Sequence, residues 1–150
     1  MKKYLLFLLS LMIFQSGCSD NEADTSSYPV AVKTIDYSIV GTSYNWKSIE
    51  KNTVCVVKSS VELAGYISGT GSPAPTIDFE KYSLLLVQGT NPSGIQSLEK
   101  QLQQISMNGY KLTINIKSNA ATVVEGWTVA VLIPHVTTNL AVALDVKMQR

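Results

Sequence analysis

Ile77-Asp-Phe-Glu-Lys-Tyr-Ser-Leu-Leu-Leu-Val-Gln-Gly-Thr-Asn-Pro-Ser-Gly-Ile-Gln96 is the stretch on which the fold turns. Leu84, Leu85, Leu86 and Val87 are too few to span a membrane and too dense for a strand with one wet face. They predict a central strand over 82–88, covered on both sides. Gly89-Thr-Asn-Pro-Ser-Gly94 is a cluster of turn formers and predicts a loop leaving the sheet. A buried strand feeding a short loop holds a recognition surface still. Asn91, Pro92, Ser93 and Gly94 are therefore candidate binding residues.

Towards the C-terminus, Tyr110, Leu112, Ile114 and Ile116 alternate with polar residues and predict a strand over 110–117. Asn108-Gly109 precedes it and suits the positive φ angles of a type I′ turn, so 101–107 and 110–117 are expected to form a hairpin. Residues 95–105 read two ways. Ile95, Leu98, Leu102 and Ile105 sit at helical spacing, while a strand fits if a bulge near Gln103 reconciles the apolar registers. Residues 127–133 form another apolar strand, ended by Pro134, and 139–147 alternate as a last strand. On the N-terminal side, 30–40 predict a first strand, 41–45 a turn, and Trp46 with Ile49 a short irregular or one-turn helical piece. Residues 53–58 read as a strand, Ser59 or Ser60 caps a short helix through 61–66, and 68–76 form an exposed loop. The expected architecture is mainly β, an antiparallel sandwich or curved barrel of about six to seven strands with one or two short helices.

The chain has 150 residues, 45% hydrophobic and 15% charged, which suits one globular domain, expected over 30–150. Before it come a basic start at Lys2 and Lys3, an apolar run over 4–14, and Ser16-Gly17 leading into Cys18. This pattern predicts a lipoprotein signal peptide over 1–17, with Cys18 acylated by palmitate-type chains. An aliphatic residue would be usual where Gln15 stands. Each buried methylene adds about 0.8 kcal/mol of membrane affinity, so several chains anchor firmly. Residues 18–29 read as a flexible acidic tether. Asp20, Glu22 and Asp24 resemble the signal by which some Gram-negative bacteria export lipoproteins to the outer membrane surface, so a lipid-anchored outer-membrane position is expected, at the periplasmic face or the cell surface. Without Lys2 and Lys3 the balance is 10 basic against 11 acidic residues, which gives no electrostatic case for nucleic acid.

Residues that carry chemistry are scarce. His135 is the single histidine, with no Cys or Asp cluster at ligand spacing, so no metal or other cofactor is expected. Cys55, once Cys18 is acylated, is the remaining thiol, and in Val54-Cys-Val-Val57 it reads as a small core residue. Arg150 is the single arginine and stands at the C-terminus. Asp78 and Glu80 resemble a carboxylate pair for sugar hydrolysis, but Asp78 better fits turn or cap chemistry before the central strand. Glu125 has no evident partner. The protein is expected to be a non-catalytic binder. Trp127 reads as core, whereas Tyr44 and Trp46, on a polar turn, are candidates for contact with a glycan.

Residues 77–87 followed by Gly89-Thr-Asn-Pro-Ser-Gly94 resemble the strand and loop of PrcB C-terminal-like domains, found in bacterial lipoproteins and named for a protease-complex accessory subunit. The segment Trp46-Lys-Ser-Ile49 resembles that family's opening, and the likeness covers about 46–147. It departs after the loop, where Gly94-Ile-Gln96 replaces Gly-Gly-Tyr. Asn91-Pro-Ser-Gly94 also resembles the Asn-Pro-Thr loop of chagasin-type cysteine-protease inhibitors, without that family's other inhibitory loops. These resemblances imply an envelope protein that binds a protein partner through 89–94, protease-accessory or inhibitor-like. The alternatives are a carbohydrate-binding or nutrient-capture surface lipoprotein and, further off, a hydrolase.

Overall fold

The structure, a computed structural model, describes residues 28–71, 75–137 and 139–150. The expected signal peptide, Cys18 and tether residues 18–27 lie outside the described residues. The described chain is mainly β, with ten strands and one helix, and it forms a sandwich without barrel closure.

The first sheet contains β1 (Val30–Val32), β7 (Ile95–Ser106), β8 (Gly109–Ser118) and β10 (Ala141–Gln149), in the order β1-β7-β8-β10. The second contains β2 (Ile35–Asp36), β4 (Cys55–Val57), β6 (Tyr82–Asn91) and β9 (Glu125–Pro134), in the order β2-β9-β6-β4. A small third sheet pairs β3 (Tyr44–Trp46) with β5 (Ile67–Gly69), and α1 (Ser60–Tyr66) lies between them in sequence.

Side chains alternate across a strand, so β6 serves two apolar layers at once. Leu85 and Val87 point between the main sheets, against Leu112, Ile114 and Ile116 of β8 and Trp127, Val129 and Val131 of β9. Leu84 and Leu86 point the other way, into a second cluster with Val57, Leu63, Ala130, Trp46 and Phe79. The third sheet and α1 thus cover the outer face of the second sheet. Leu84 to Val87 have no exposed surface, as their unbroken apolar run requires. The helix starts where expected: the Ser59 side chain accepts from Glu62 N at 3.2 Å, and Leu63 is its buried anchor.

Several elements differ from the sequence-based expectation. The central strand does not stop at Gln88 but continues through Gly89, Thr90 and Asn91, because β9 pairs with it as far as Glu125. Gly89 is needed there for space: a Cβ would run into the ring of Trp127, which lies opposite it. Residues 30–40 do not form one strand. β1 joins the first sheet and β2 the second, so the chain crosses between layers at 33–34. Residues 44–46 and 67–69, read as turn, irregular piece and loop, instead pair as β3 and β5.

Residues 95–105 are strand throughout, as part of β7. The register shifts fall between Ile95 and Ser97 and between Gln104 and Ser106, on either side of the position expected near Gln103. The first extra residue, Gln96, lets Ile95 and Leu98 face the same core despite their odd spacing. The turn into β8 is Met107-Asn108 rather than Asn108-Gly109, and neither Asn108 nor Gly109 takes a positive φ. Gly109 is held by space instead, since a Cβ would meet the Ser106 side chain.

β10 runs parallel to β8, against the antiparallel expectation, in unbroken register from Ala141↔Gly109 to Gln149↔Lys117. The chain leaves β8 for β9 in the other sheet and then returns. Each crossing reverses its direction, so two crossings restore it.

Gly89→Ala is expected to lower stability by about 1–3 kcal/mol through overpacking against Trp127. Urea unfolding measures it, and the loss should shrink when Trp127 is also replaced by Phe. Strictly additive losses would show that the ring is not the obstacle.

Candidate functional site

The sandwich ends where two connections pass between its sheets. Residues 92–94 carry the chain from β6 to β7, and 119–124 carry it from β8 to β9. Backbone leaving a sheet must find new hydrogen-bond partners, and here the crossings supply them to each other. Gly94 N–H donates to Ala121 O at 3.2 Å, and Asn119 N–H donates to Gly94 O at 2.8 Å. A Cβ on Gly94 would strike the Asn119 side-chain amide, which would have to move aside for any other residue.

Asn91 fastens the arrangement from beneath. Its Nδ2 donates to Ser93 O at 2.6 Å and to Ser118 Oγ at 3.0 Å, with longer contacts of 3.4 Å to Ser93 Oγ and Gly94 O. These acceptors settle the amide's orientation, leaving Asn91 Oδ1 buried without a partner among the described residues. Glu125, which seemed partnerless in sequence, accepts from Ile95 N–H through Oε2 at 2.7 Å, just after the loop.

The four loop candidates therefore divide. Pro92 is exposed and Ser93 half-buried, whereas Gly94 is buried and Asn91 has no exposed surface. In this structure the Asn91 side chain holds the loop rather than offering itself at the tip. The projecting part is shorter than residues 89–94: Gly89, Thr90 and Asn91 belong to β6.

Beside the loop lies a concave surface of about 1010 Å³, bordered by 91–93, 117–122 and the end of β10 with Arg150. Its charged lining residues are Lys117 and Arg150, joined by Gln96, Ser118, Asn119 and Gln149, with no carboxylate side chain among them. The adjoining chain exposes apolar side chains, Val123 at 57% and Val124 at 68%, while Met148 lines the surface itself at 50%. Sequence reading missed Lys117, Ser118, Asn119 and Arg150. Arg150 stood out only as a terminal residue, and nothing in the order of residues shows that 117–122 folds beside 92–94.

Tyr44 and Trp46 are placed apart from that surface, on β3. Tyr44 Oη donates to Gly71 O at 3.0 Å. Trp46 is half-buried in the outer cluster, edge-on to Tyr37 with ring centroids 6.1 Å apart at 63°. It borders a smaller depression of about 310 Å³ with Ser48, Lys51, Thr90 and Thr128, and Tyr44 does not line it.

None of the remaining candidates lines the concave surface. Asp78 makes the turn into β6. Its carbonyl accepts from Lys81 N–H and Tyr82 N–H, and its Oδ1 accepts from Glu80 N–H at 3.2 Å. Lys81 Nζ lies 2.7 Å from Asp78 Oδ2 and, chiefly by this hydrogen bond, holds the carboxyl below its ordinary range. Glu80 is exposed beside it and joins the turn through its backbone N–H. His135 is exposed, and its backbone N–H donates to Lys81 O at 2.9 Å. Cys55 is a half-buried free thiol in the outer cluster. Tyr66 nearby is pushed up by burial first and by Cys55 second. Among the described residues no group of three His, Cys, Asp or Glu is gathered to hold a metal ion. No helix among them is long and apolar enough to cross a membrane.

Compared with family models, curated proteins and solved structures, the chain matches none.

Asn91→Ala should cost about 2–3 kcal/mol, because two or three acceptors lose their donor in a buried place. Hydrogen exchange at the amides of Gly94 and Asn119 should accelerate with it. Unchanged exchange at those two sites would mean that the crossings hold without the side chain.

Proposed function

We propose that this protein is a non-catalytic envelope lipoprotein, anchored through Cys18, that binds a protein partner with the crossing end of its sandwich. The observation that supports the reading best is the fastened loop beside a large concave surface. A loop already held by its own hydrogen bonds loses little freedom on docking. The surface combines exposed apolar side chains with Lys117 and Arg150, so it suits a protein segment that is apolar with acidic groups. The PrcB-like resemblance of 77–94 agrees with a partner in a surface protease assembly, and the acidic residues after Cys18 agree with the outer membrane as its place.

The test is capture of partners from the native envelope by the full chain, comparing wild type with Pro92→Gly/Ser93→Asp. The paired substitution is expected to weaken capture at least tenfold while changing stability by less than about 1 kcal/mol, since both positions reach solvent. Equal capture by both proteins would remove the loop from the contact. Mass spectrometry of the mature protein should find Cys18 acylated at the amino terminus, and an unmodified terminus would remove the anchor.

A glycan-binding reading rests on the Trp46 depression, which Trp46 and Trp127 line together with Thr90 and Thr128. Intrinsic fluorescence titrated with glycans should then shift in wild type and not in Trp46→Phe. No shift with any glycan dismisses it.

A further inference from the structure

Three of the four outer strands of the main sheets are very short. β1 and β4 have three residues each and β2 has two. Short edges are a common protection against unwanted strand pairing. β10 is the exception. It has nine residues, its register with β8 is unbroken, it contains no proline, and among the described residues β8 is its one hydrogen-bonded neighbour.

The polarity of that open edge can be worked out. Ala141 N–H donates to Asn108 O at 3.0 Å, so Ala141 turns its peptide groups towards β8. With the period of two along a strand, the other odd-numbered residues do the same. Val142, Leu144, Val146 and Met148 therefore present outward N–H and C=O groups that have no partner among the described residues. A partner strand must pair with these even-numbered positions.

We propose that a second copy of this chain pairs along this edge, β10 against β10, antiparallel about a two-fold axis at Val146. The charges select this register. With the axis at Val146, Asp145 of each copy faces Lys147 of the other in the non-hydrogen-bonded pairs, where cross-strand side chains are closest. An axis at Asp145 would instead set two aspartates against each other, and an axis at Leu144 would set Lys147 opposite Ala141. The Val146 register also places Met148, half exposed in the single chain, opposite Leu144. Within one chain Asp145 is bound by Lys111 at 3.0 Å, while Lys147 stands 3.8 Å away and more than half exposed, available to a second carboxylate. Two four-stranded sheets then become one continuous sheet across the pair. A self-complementary patch of this kind is what a two-fold dimer needs.

Charge exchange tests the register with the full chain, extracted in mild detergent and followed by sedimentation over a range of concentrations. Wild type is expected to reach twice the protomer mass. Asp145→Lys and Lys147→Asp should each weaken self-association by roughly tenfold or more, because each sets like charges opposite one another. Mixed in equal amounts, the two variants should form a heterodimer. Wild type that remains at protomer mass throughout, or variants that pair with themselves as well as with each other, would overturn the proposal. If Asp145→Lys fails to fold for want of its Lys111 contact, Met148→Pro serves in its place. It removes one outward N–H and is tolerated on an edge strand. Loss of the dimer supports the pairing, and an undiminished dimer refutes it.

Discussion

Two crossings between the sheets, tied to each other at one end, are the constraint from which the rest follows. A chain that changes layer must carry its peptide groups out of one ladder without leaving them unpaired in a poorly solvated place. Here Gly94 and the 119–121 segment satisfy one another, and the Asn91 amide takes up Ser93 O and adds a longer contact to Gly94 O. Because both connections are fastened at the same point, β7 and β9 leave it in opposite sheets at a fixed spacing. The space between them is then filled by Leu112, Ile114, Ile116, Trp127 and Val129. The concave surface beside the loop is a by-product of this fastening.

The apolar density of 84–87 was enough to place a strand inside the molecule, and the structure adds what lies on each side of it. Sequence also carried the alternation of 110–117, the cap at Ser59, the burial of Trp127 and the turn chemistry of Asp78. In each case a local pattern has one physical cause. What was not legible depends on contacts distant in sequence. Gly89, Thr90 and Asn91 are turn-prone residues, yet they are strand because β9 offers ten consecutive partners. Gly89 looks like a loop residue and is in fact the gap that admits an indole. The glycines and prolines of 68–76 suggested an open loop, although Ile67–Gly69 pairs with Tyr44–Trp46.

The site was legible in the same partial way. Pro92 and Ser93 were found because turn residues after a buried strand reach solvent. Asn91 was grouped with them by adjacency, and only its pairing with the layer below shows that its side chain faces inward. Lys117, Asn119 and Arg150 carry no motif that marks them. They become neighbours of the loop through β8 and β10, whose parallel alignment depends on the number of crossings between them. Residue order does not display that number.

The same connectivity bears on how the protein is made. β1 waits for β7, β2 for β9, β4 for β6, and β8 for β10. A ribosome delivering the chain from its amino end therefore releases a first half with little to fold onto beyond α1 and the β3–β5 pair. Distant pairings of this kind form slowly and leave unpaired edges in the meantime. Until β10 completes the first sheet, such a nascent chain carries unpaired edges that its siblings can reach.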